Sequence, residues 1–274
     1  MQSPFDGKIC VVTGVASGIG RALALQLASE GALLAISDVD GEGLDETKEL
    51  IGASSNRVRS DILDVSDELA VAAYPQMVKE SLGQADYVFN NAGLTRVGTF
   101  DEMPLTSFEK VMDVNFWGVV RMSKAFLPQL KETKGGLVNI SSVFGLIGFP
   151  GQVEYCASKF AVRGFSESLA QEVAELGVCV TSIHPGGVAT NIARNAHIDV
   201  LPSKFSSREQ AEKEFDKVAR TSPERAAKII LNGTAKRRRR VMVGADAAVL
   251  SGVQRLLPQS YAGLIRKLMG GNLT

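Results

Sequence analysis

The sequence predicts a doubly wound α/β protein, a parallel sheet covered by helices on both faces. Two observations carry this. Short β-branched runs alternate with longer segments of helical spacing through the first two thirds of the chain. The runs are also almost continuously apolar, as expected of strands buried on both faces rather than one.

The strand candidates are 8–13 (KICVVT), 32–37 (ALLAIS), 57–61 (RVRSD), 86–90 (DYVFN), 136–141 (GLVNIS) and 178–184 (VCVTSIH). Between them, helical spacing is found at 18–30, where Ala22, Leu23, Leu25, Leu27 and Ala28 recur on one side. The same spacing is found near 41–52, 66–82, 106–132 and 153–176. After residue 185 the rhythm changes. Residues 187–222 are polar and charged, without a strong strand, and are expected to form an insertion over a site with one or two short helices. A helix is expected at 223–233, a short strand at 241–243 and an amphipathic tail over about 245–274. No linker or repeat divides the chain, so 1–274 is expected to be one domain.

The 274 residues carry a formal net charge of zero. That balance gives no global reason to expect nucleic acid or anionic lipid as a partner. Cys10, Cys156 and Cys179 are odd in number and lack metal-ligand spacing, so they read as reduced thiols, and no metal site is expected. The N-terminal MQSPFDGKICVVTG lacks the pattern of a signal peptide, and no apolar run reaches membrane-span length. A cytoplasmic location is the expectation.

TGVASGIG, residues 13–20, follows the first strand and opens the first helix. Gly14 and Gly18 suit tight turns, and Gly20 suits close helix packing. Together with Ser17 and Ile19, they leave helix-terminal amides facing outward, an arrangement that binds a pyrophosphate. Asp38 ends the second strand. An acid there binds the ribose hydroxyls of NAD and repels the extra phosphate of NADP. No basic residue precedes Gly18, and Arg21 lies on the helix. NAD is therefore favoured over NADP.

More specific elements follow: NNAG at 90–93, DVNFWG around Asn115, VNISS at 138–142, YCASK at 155–159 and HPGGVAT at 184–190. With TGVASGIG and in this order, they resemble the short-chain dehydrogenase/reductase family over roughly residues 8–190. The resemblance implies a seven-stranded parallel sheet of order 3-2-1-4-5-6-7. It implies that Asn115, Ser142, Tyr155 and Lys159 are catalytic. It places Asp64 and Val65 beside the adenine, Asn91, Ala92 and Gly93 along the cofactor, and Pro185, Gly186, Val188 and Thr190 around the nicotinamide. It also implies a homodimer or homotetramer built on the helices near 106–132 and 153–176, and a water held by Asn115 that links Lys159 to solvent.

The chemistry fits those residues. Reducing a carbonyl needs a hydride from the cofactor and a proton from the protein. Tyr155 and Lys159, at i and i+4, share a helix face. The ammonium and a positive nicotinamide ring are expected to lower the tyrosine pKa from about 10, and Lys159 to hold the cofactor ribose. Ser142 is expected to hydrogen-bond the substrate oxygen. In isolation, a Tyr and Lys at this spacing are an ordinary amphipathic surface, and serines often end strands. The joint pattern gives them weight.

Other readings are weaker. His184 near Ser142 suggests a hydrolase, but there is no GxSxG elbow. Lys236–Arg240 reads as a solvated loop rather than a nucleic-acid or lipid site. The tail is expected to pack on the chain's own core or on a subunit. Peripheral membrane contact is the less favoured alternative. Leu94, Phe144, Leu146, Ile147, Phe149 and Val153 are expected to line an apolar substrate pocket for a hydrophobic secondary alcohol or ketone. Arg96 and Arg194 are the only candidates seen there for holding a carboxylate. A catalytically silent dinucleotide-binding sensor or scaffold is the competing function.

Overall fold

The structure is a computed structural model that describes residues 3–52, 57–190, 197–198, 210 and 220–268. A parallel sheet of seven strands forms its centre. The strands are β1 (Ile9–Thr13), β2 (Leu33–Asp38), β3 (Val58–Ile62), β4 (Tyr87–Asn90), β6 (Gly136–Ile140), β7 (Cys179–Pro185) and β9 (Arg240–Val243), in the order β3-β2-β1-β4-β6-β7-β9. Counted within this sheet alone, that is the expected order 3-2-1-4-5-6-7.

Alternation along the strands sends side chains to two cores. Cys10, Val12, Leu34, Ile36, Phe89, Val138 and Ile183 face one side. There they meet α1 (Gly18–Ser29) and α7 (Pro223–Ala235) through Leu23, Leu27 and Ile230. Val11, Ala35, Val88, Leu137 and Val180 face the other. They pack on α3 (Glu68–Ser81), α5 (Gly118–Thr133) and α6 (Val153–Glu172) through Tyr74, Met122, Phe126, Leu130 and Ala170.

Helix starts follow local chemistry. The Asp40 carboxylate accepts from Gly43 N–H at 3.2 Å and opens α2 (Gly41–Ile51). Asp67 accepts from Leu69 and Ala70 N–H, each at 3.0 Å, and opens α3. Ser222 caps α7, and Pro223 occupies its first turn, where a missing N–H costs nothing.

Three elements differ from expectation. The helix expected at 106–132 is broken in two: α4 (Leu105–Met112) and α5 are joined by a π-helical turn at Asp113–Trp117. Asn115, buried, sits inside that turn. The helix expected to 176 is α6 to Glu172, followed by a 3-10 turn at Ala174–Leu176. Within 187–222, a short strand β8 (His197–Ile198) pairs in parallel with β5 (Arg96–Val97), just beyond β4. The short helices expected there, and Arg194, lie outside the described residues.

The tail forms α8 (Ala245–Leu256) and α9 (Tyr261–Leu268). Ala247, Leu250 and Tyr261 pack on Val143, Leu146 and Ile147, and the Tyr261 hydroxyl accepts from Gly148 N–H at 3.0 Å. Own-core packing is therefore present along one face of the tail. Among the described residues, no helix is long and apolar enough to cross a membrane.

Candidate active site

The glycine turn lies at the carboxyl ends of the central strands, where open α/β sheets bind ligands. Gly14 has a left-handed φ of 71° and lies against Ala92, whose Cα would be 2.7 Å from an added Cβ. Its N–H donates to Ser37 O at 2.8 Å, and the Asn91 amide donates to Gly14 O at 2.8 Å. Gly18 turns with φ 57°, and Thr190 packs directly over it. Ser17 caps α1 without a side-chain bond, and no acid sits in the helix's own first turn. Ile19 is half-buried against the core.

Asp38 faces this turn. Its Oδ2 accepts from Ala16 N–H at 2.8 Å and its Oδ1 from Asp40 N–H at 3.0 Å. Each oxygen has further acceptor capacity for ribose hydroxyls. Arg21, on the helix that follows the turn, is engaged through Nη2, which is bonded to the Ala16 carbonyl and to Glu46 Oε2, the latter at 2.7 Å.

Asp64 and Val65 follow β3. Burial pushes the Asp64 carboxyl up, but hydrogen bonds from the Ser66 hydroxyl and N–H outweigh it and leave the pKa lowered. Val65 is buried and packs on Gly118 at the start of α5. Both Asn91 Nδ2 donors are used, one to Thr13 O at 3.0 Å and one to Gly14 O. Ala92 N–H donates to the Thr13 hydroxyl at 3.0 Å. Asn91 thus braces the glycine turn through its amide nitrogen. Pro185 ends β7. Gly186 N–H donates to Val243 O, Gly187 N–H to the Asp246 carboxylate at 2.6 Å, and Val188 bridges Thr221.

Ser142, Tyr155 and Lys159 converge beyond β6. Lys159 Nζ, buried, donates to Ile140 O at 2.9 Å, and it lies 5.6 Å from the Tyr155 ring centroid. Burial pushes its ammonium down to about 8. Burial pushes the Tyr155 phenol up to about 12, and a hydrogen bond with the Ser142 hydroxyl pulls the other way. The expected lowering by Lys159 is not among the effects of the protein's own groups on this tyrosine. The protein alone favours the phenol, the proton-giving form.

The Asn115 side chain is held by hydrogen bonds within the chain. Its Nδ2 donates to Leu94 O at 2.9 Å and to Ser158 Oγ at 3.1 Å, and its Oδ1 accepts from Leu94 N–H at 2.8 Å. This amide clamps the chain beside Gly93, and both of its N–H donors are used. A Cβ on Gly93 would lie 3.1 Å from Asn115 Oδ1 and 3.5 Å from Lys159 Nζ.

The apolar wall is partly as expected. Phe144 stacks on Phe149 at 4.8 Å and 15°, and meets Tyr155 edge-on at 6.2 Å. Leu94 is half-buried and Val153 is exposed. Leu146 and Ile147 are corrections: they are buried against Ala247 in the core under α8. Arg96 is engaged, donating to Ser107 Oγ at 2.9 Å.

Sequence reasoning missed a buried polar ladder. Asn90 Nδ2 donates to Ser123 Oγ (3.1 Å) and to Asn139 Oδ1 (2.8 Å), and Asn139 Nδ2 donates to Ser166 Oγ (2.9 Å). It ties α5, β4, β6 and α6 together immediately below the site. Its one signal was asparagine inside two strands that are otherwise apolar.

A glycine turn on a doubly wound sheet, facing a Tyr–Lys pair, defines an oxidoreductase of the dinucleotide-binding class. Residues 8–200 match the short chain dehydrogenase family model. The chain belongs to the short-chain dehydrogenase/reductase family. It is 46% identical over 268 residues to the "Putative oxidoreductase SadH" of Mycobacterium tuberculosis, covering 96% of each chain. It is 34% identical over 227 residues to the 3-oxoacyl-[acyl-carrier-protein] reductase FabG of Thermotoga maritima, covering 82% of this chain and 89% of that one. A Burkholderia phymatum short chain dehydrogenase/reductase, solved in complex with NAD, superposes with a TM-score of 0.83 at 28% identity, covering 92% and 94% of the two chains. The family implies a nicotinamide dinucleotide as cofactor.

Proposed function

We propose that the protein is an NAD-dependent dehydrogenase of hydrophobic secondary alcohols, or reductase of the matching ketones, working as one domain over 1–274. The observation that carries this is the convergence of Ser142, Tyr155 and Lys159 beside Gly93, facing the glycine turn. A silent sensor or scaffold would have no need of that convergence.

The residues fit the cofactor. Gly14 turns the chain, and the first-turn amides of α1, at Gly18, Ile19 and Gly20, are left for the pyrophosphate. Asp38 keeps acceptor capacity for the ribose hydroxyls, and Lys159 Nζ uses one of three N–H donors on Ile140, leaving two for the second ribose. Asp64 with Val65, Ala92 with Gly93, and Pro185 to Thr190 outline the rest of the path. When bound, the cofactor supplies or accepts the hydride. Ser142 Oγ holds the substrate oxygen, and Tyr155 Oη gives or takes its proton. Lys159 Nζ lies 5.6 Å from the Tyr155 ring centroid, placed to hold the cofactor ribose beside the acid/base, and Asn115 fixes the Leu94 backbone over the site.

Two measurements test this reading. NADH absorbance should follow turnover of alicyclic, aryl, steroid-like or long-chain ketones. Activity confined to charged sugars or hydroxy acids would overturn the substrate class. Catalytic efficiency should favour NAD over NADP by about tenfold or more, since an unpaired carboxylate facing a phosphate costs roughly 1–3 kcal/mol. A tenfold preference for NADP would remove the role given to Asp38.

The subunit reading is a homodimer or homotetramer through α4, α5 and α6. Exposed Leu105, Trp117 and Phe160 on these helices and the turn between them support it. The location proposed is the cytoplasm.

A further inference from the structure

The buried His184 is not used by the chemistry above. It lies near the end of β7, and its ring has no solvent exposure. Nδ1 is 3.0 Å from the carbonyl oxygen of Ser142, and Nε2 is 3.0 Å from Ser182 Oγ. A carbonyl only accepts, so Nδ1 must carry the proton. Burial pushes the imidazole down to about 4, against the hydrogen bond to Ser142, so the ring is neutral near pH 7. Nε2 then presents a lone pair, and the Ser182 hydroxyl donates to it. One tautomer satisfies every partner.

The backbone explains why Ser142 needs this donor. The β6–β7 ladder continues to Ser141 N–H, which donates to Ile183 O at 2.8 Å. It ends there because Pro185 has no N–H to return. Ser142 lies just past the ladder, extended at φ −165°, before the short turn Val143–Gly145. Its carbonyl accepts from Gly145 N–H at 3.0 Å within that turn. The His184 ring supplies the second bond, and it is the one that ties the Ser142 peptide to the sheet.

We propose that His184 is a positioning residue, whose Nδ1–H anchors the Ser142 peptide to β7 so that Ser142 Oγ stays aimed at Tyr155 and the substrate oxygen. The proposal rests on the catalytic reading of Ser142. It concerns the serine and not the cofactor.

Two experiments test it. The first needs no activity. The chain has only two histidines, His184 and His197. Long-range nitrogen–proton NMR correlation of the full chain at pH 7, with His197→Gln for assignment, should find His184 as the Nδ1–H tautomer. An Nε2–H tautomer overturns the proposal whatever the enzyme does.

The second is a variant series. His184→Asn keeps a donor near the Nδ1 position. His184→Gln keeps an acceptor toward Ser182 without that donor. His184→Leu removes both. Turnover should fall by about tenfold or more in the Gln and Leu variants, on the order of one lost hydrogen bond in the transition state. It should stay within about threefold of wild type in the Asn variant. NADH affinity, read by fluorescence, should be unchanged in all three. Wild-type turnover in the Leu variant, or equal losses in the Asn and Gln variants that track Tm, would overturn the positioning role. Failure of the catalytic reading looks different: Tyr155→Phe would then keep full turnover while the His184 tautomer stayed as expected.

Discussion

Replacing Tyr155 by phenylalanine is expected to lower turnover by about 10²- to 10⁴-fold, the usual share of a positioned acid/base. The ring stays, so packing should survive. Phe144 meets this ring edge-on at 6.2 Å, and Lys159 Nζ lies 5.6 Å from its centroid. Neither contact needs the hydroxyl. Nucleotide affinity, measured apart from turnover, should therefore change by less than about threefold, and Tm should hold. The pH dependence should change as well. Burial pushes the phenol up to about 12 and the Lys159 ammonium down to about 8. Alcohol oxidation needs the phenolate, so its rate should climb on the alkaline side in the wild type, and that climb should vanish in the variant. Turnover near wild type would remove Tyr155 as the acid/base.

The strands and the Tyr–Lys pair were legible in the sequence for the same reason: each depends on neighbours along the chain. Strand alternation separates Val11 from Cys10 and Val12 without reference to anything distant. A spacing of four puts Tyr155 and Lys159 on one helical face. What escaped depends on contacts between residues far apart in sequence. Asn115 interrupts an apolar pattern, but only its bonds to Leu94 and Ser158, 21 and 43 residues away, show what it holds. Leu146 and Ile147 looked like pocket residues because they are apolar and follow Ser142. The tail decides otherwise, since Ala247 and Tyr261 cover that side. In the sequence, His184 suggests only a nucleophile's partner. Its bond to the Ser142 carbonyl spans 42 residues and involves no motif.

The largest effect expected on the fold itself comes from one methyl group. Gly20→Ala should lower stability by about 3–5 kcal/mol and abolish measurable nucleotide binding. An added Cβ would lie 1.9 Å from Gly14 O and 2.5 Å from Asn91 Nδ2. These two atoms are themselves hydrogen-bonded at 2.8 Å, so the methyl group would enter the bond that closes the turn. Neither atom has room to yield. Gly14 is held by Ser37 on β2, and the Asn91 amide is fixed by Thr13 as well. Helix α1 must shift outward or the turn must open. The first costs packing of Leu23 and Leu27, and the second scatters the amides that would meet the pyrophosphate. Overpacking of a site held by backbone on both sides belongs to the costly tail of single substitutions. At roughly 2–4 °C per kcal/mol for a chain somewhat shorter than this one, Tm should drop by about 10 °C. Gly252→Ala is the control. It lies in α8 with nothing within 4 Å of an added Cβ, so the same change there should be neutral or raise stability by about 0.5–1 kcal/mol. Equal behaviour of the two variants in thermal unfolding and in NADH fluorescence would show that the close approach of Gly20 to Gly14 does not hold the nucleotide turn in place.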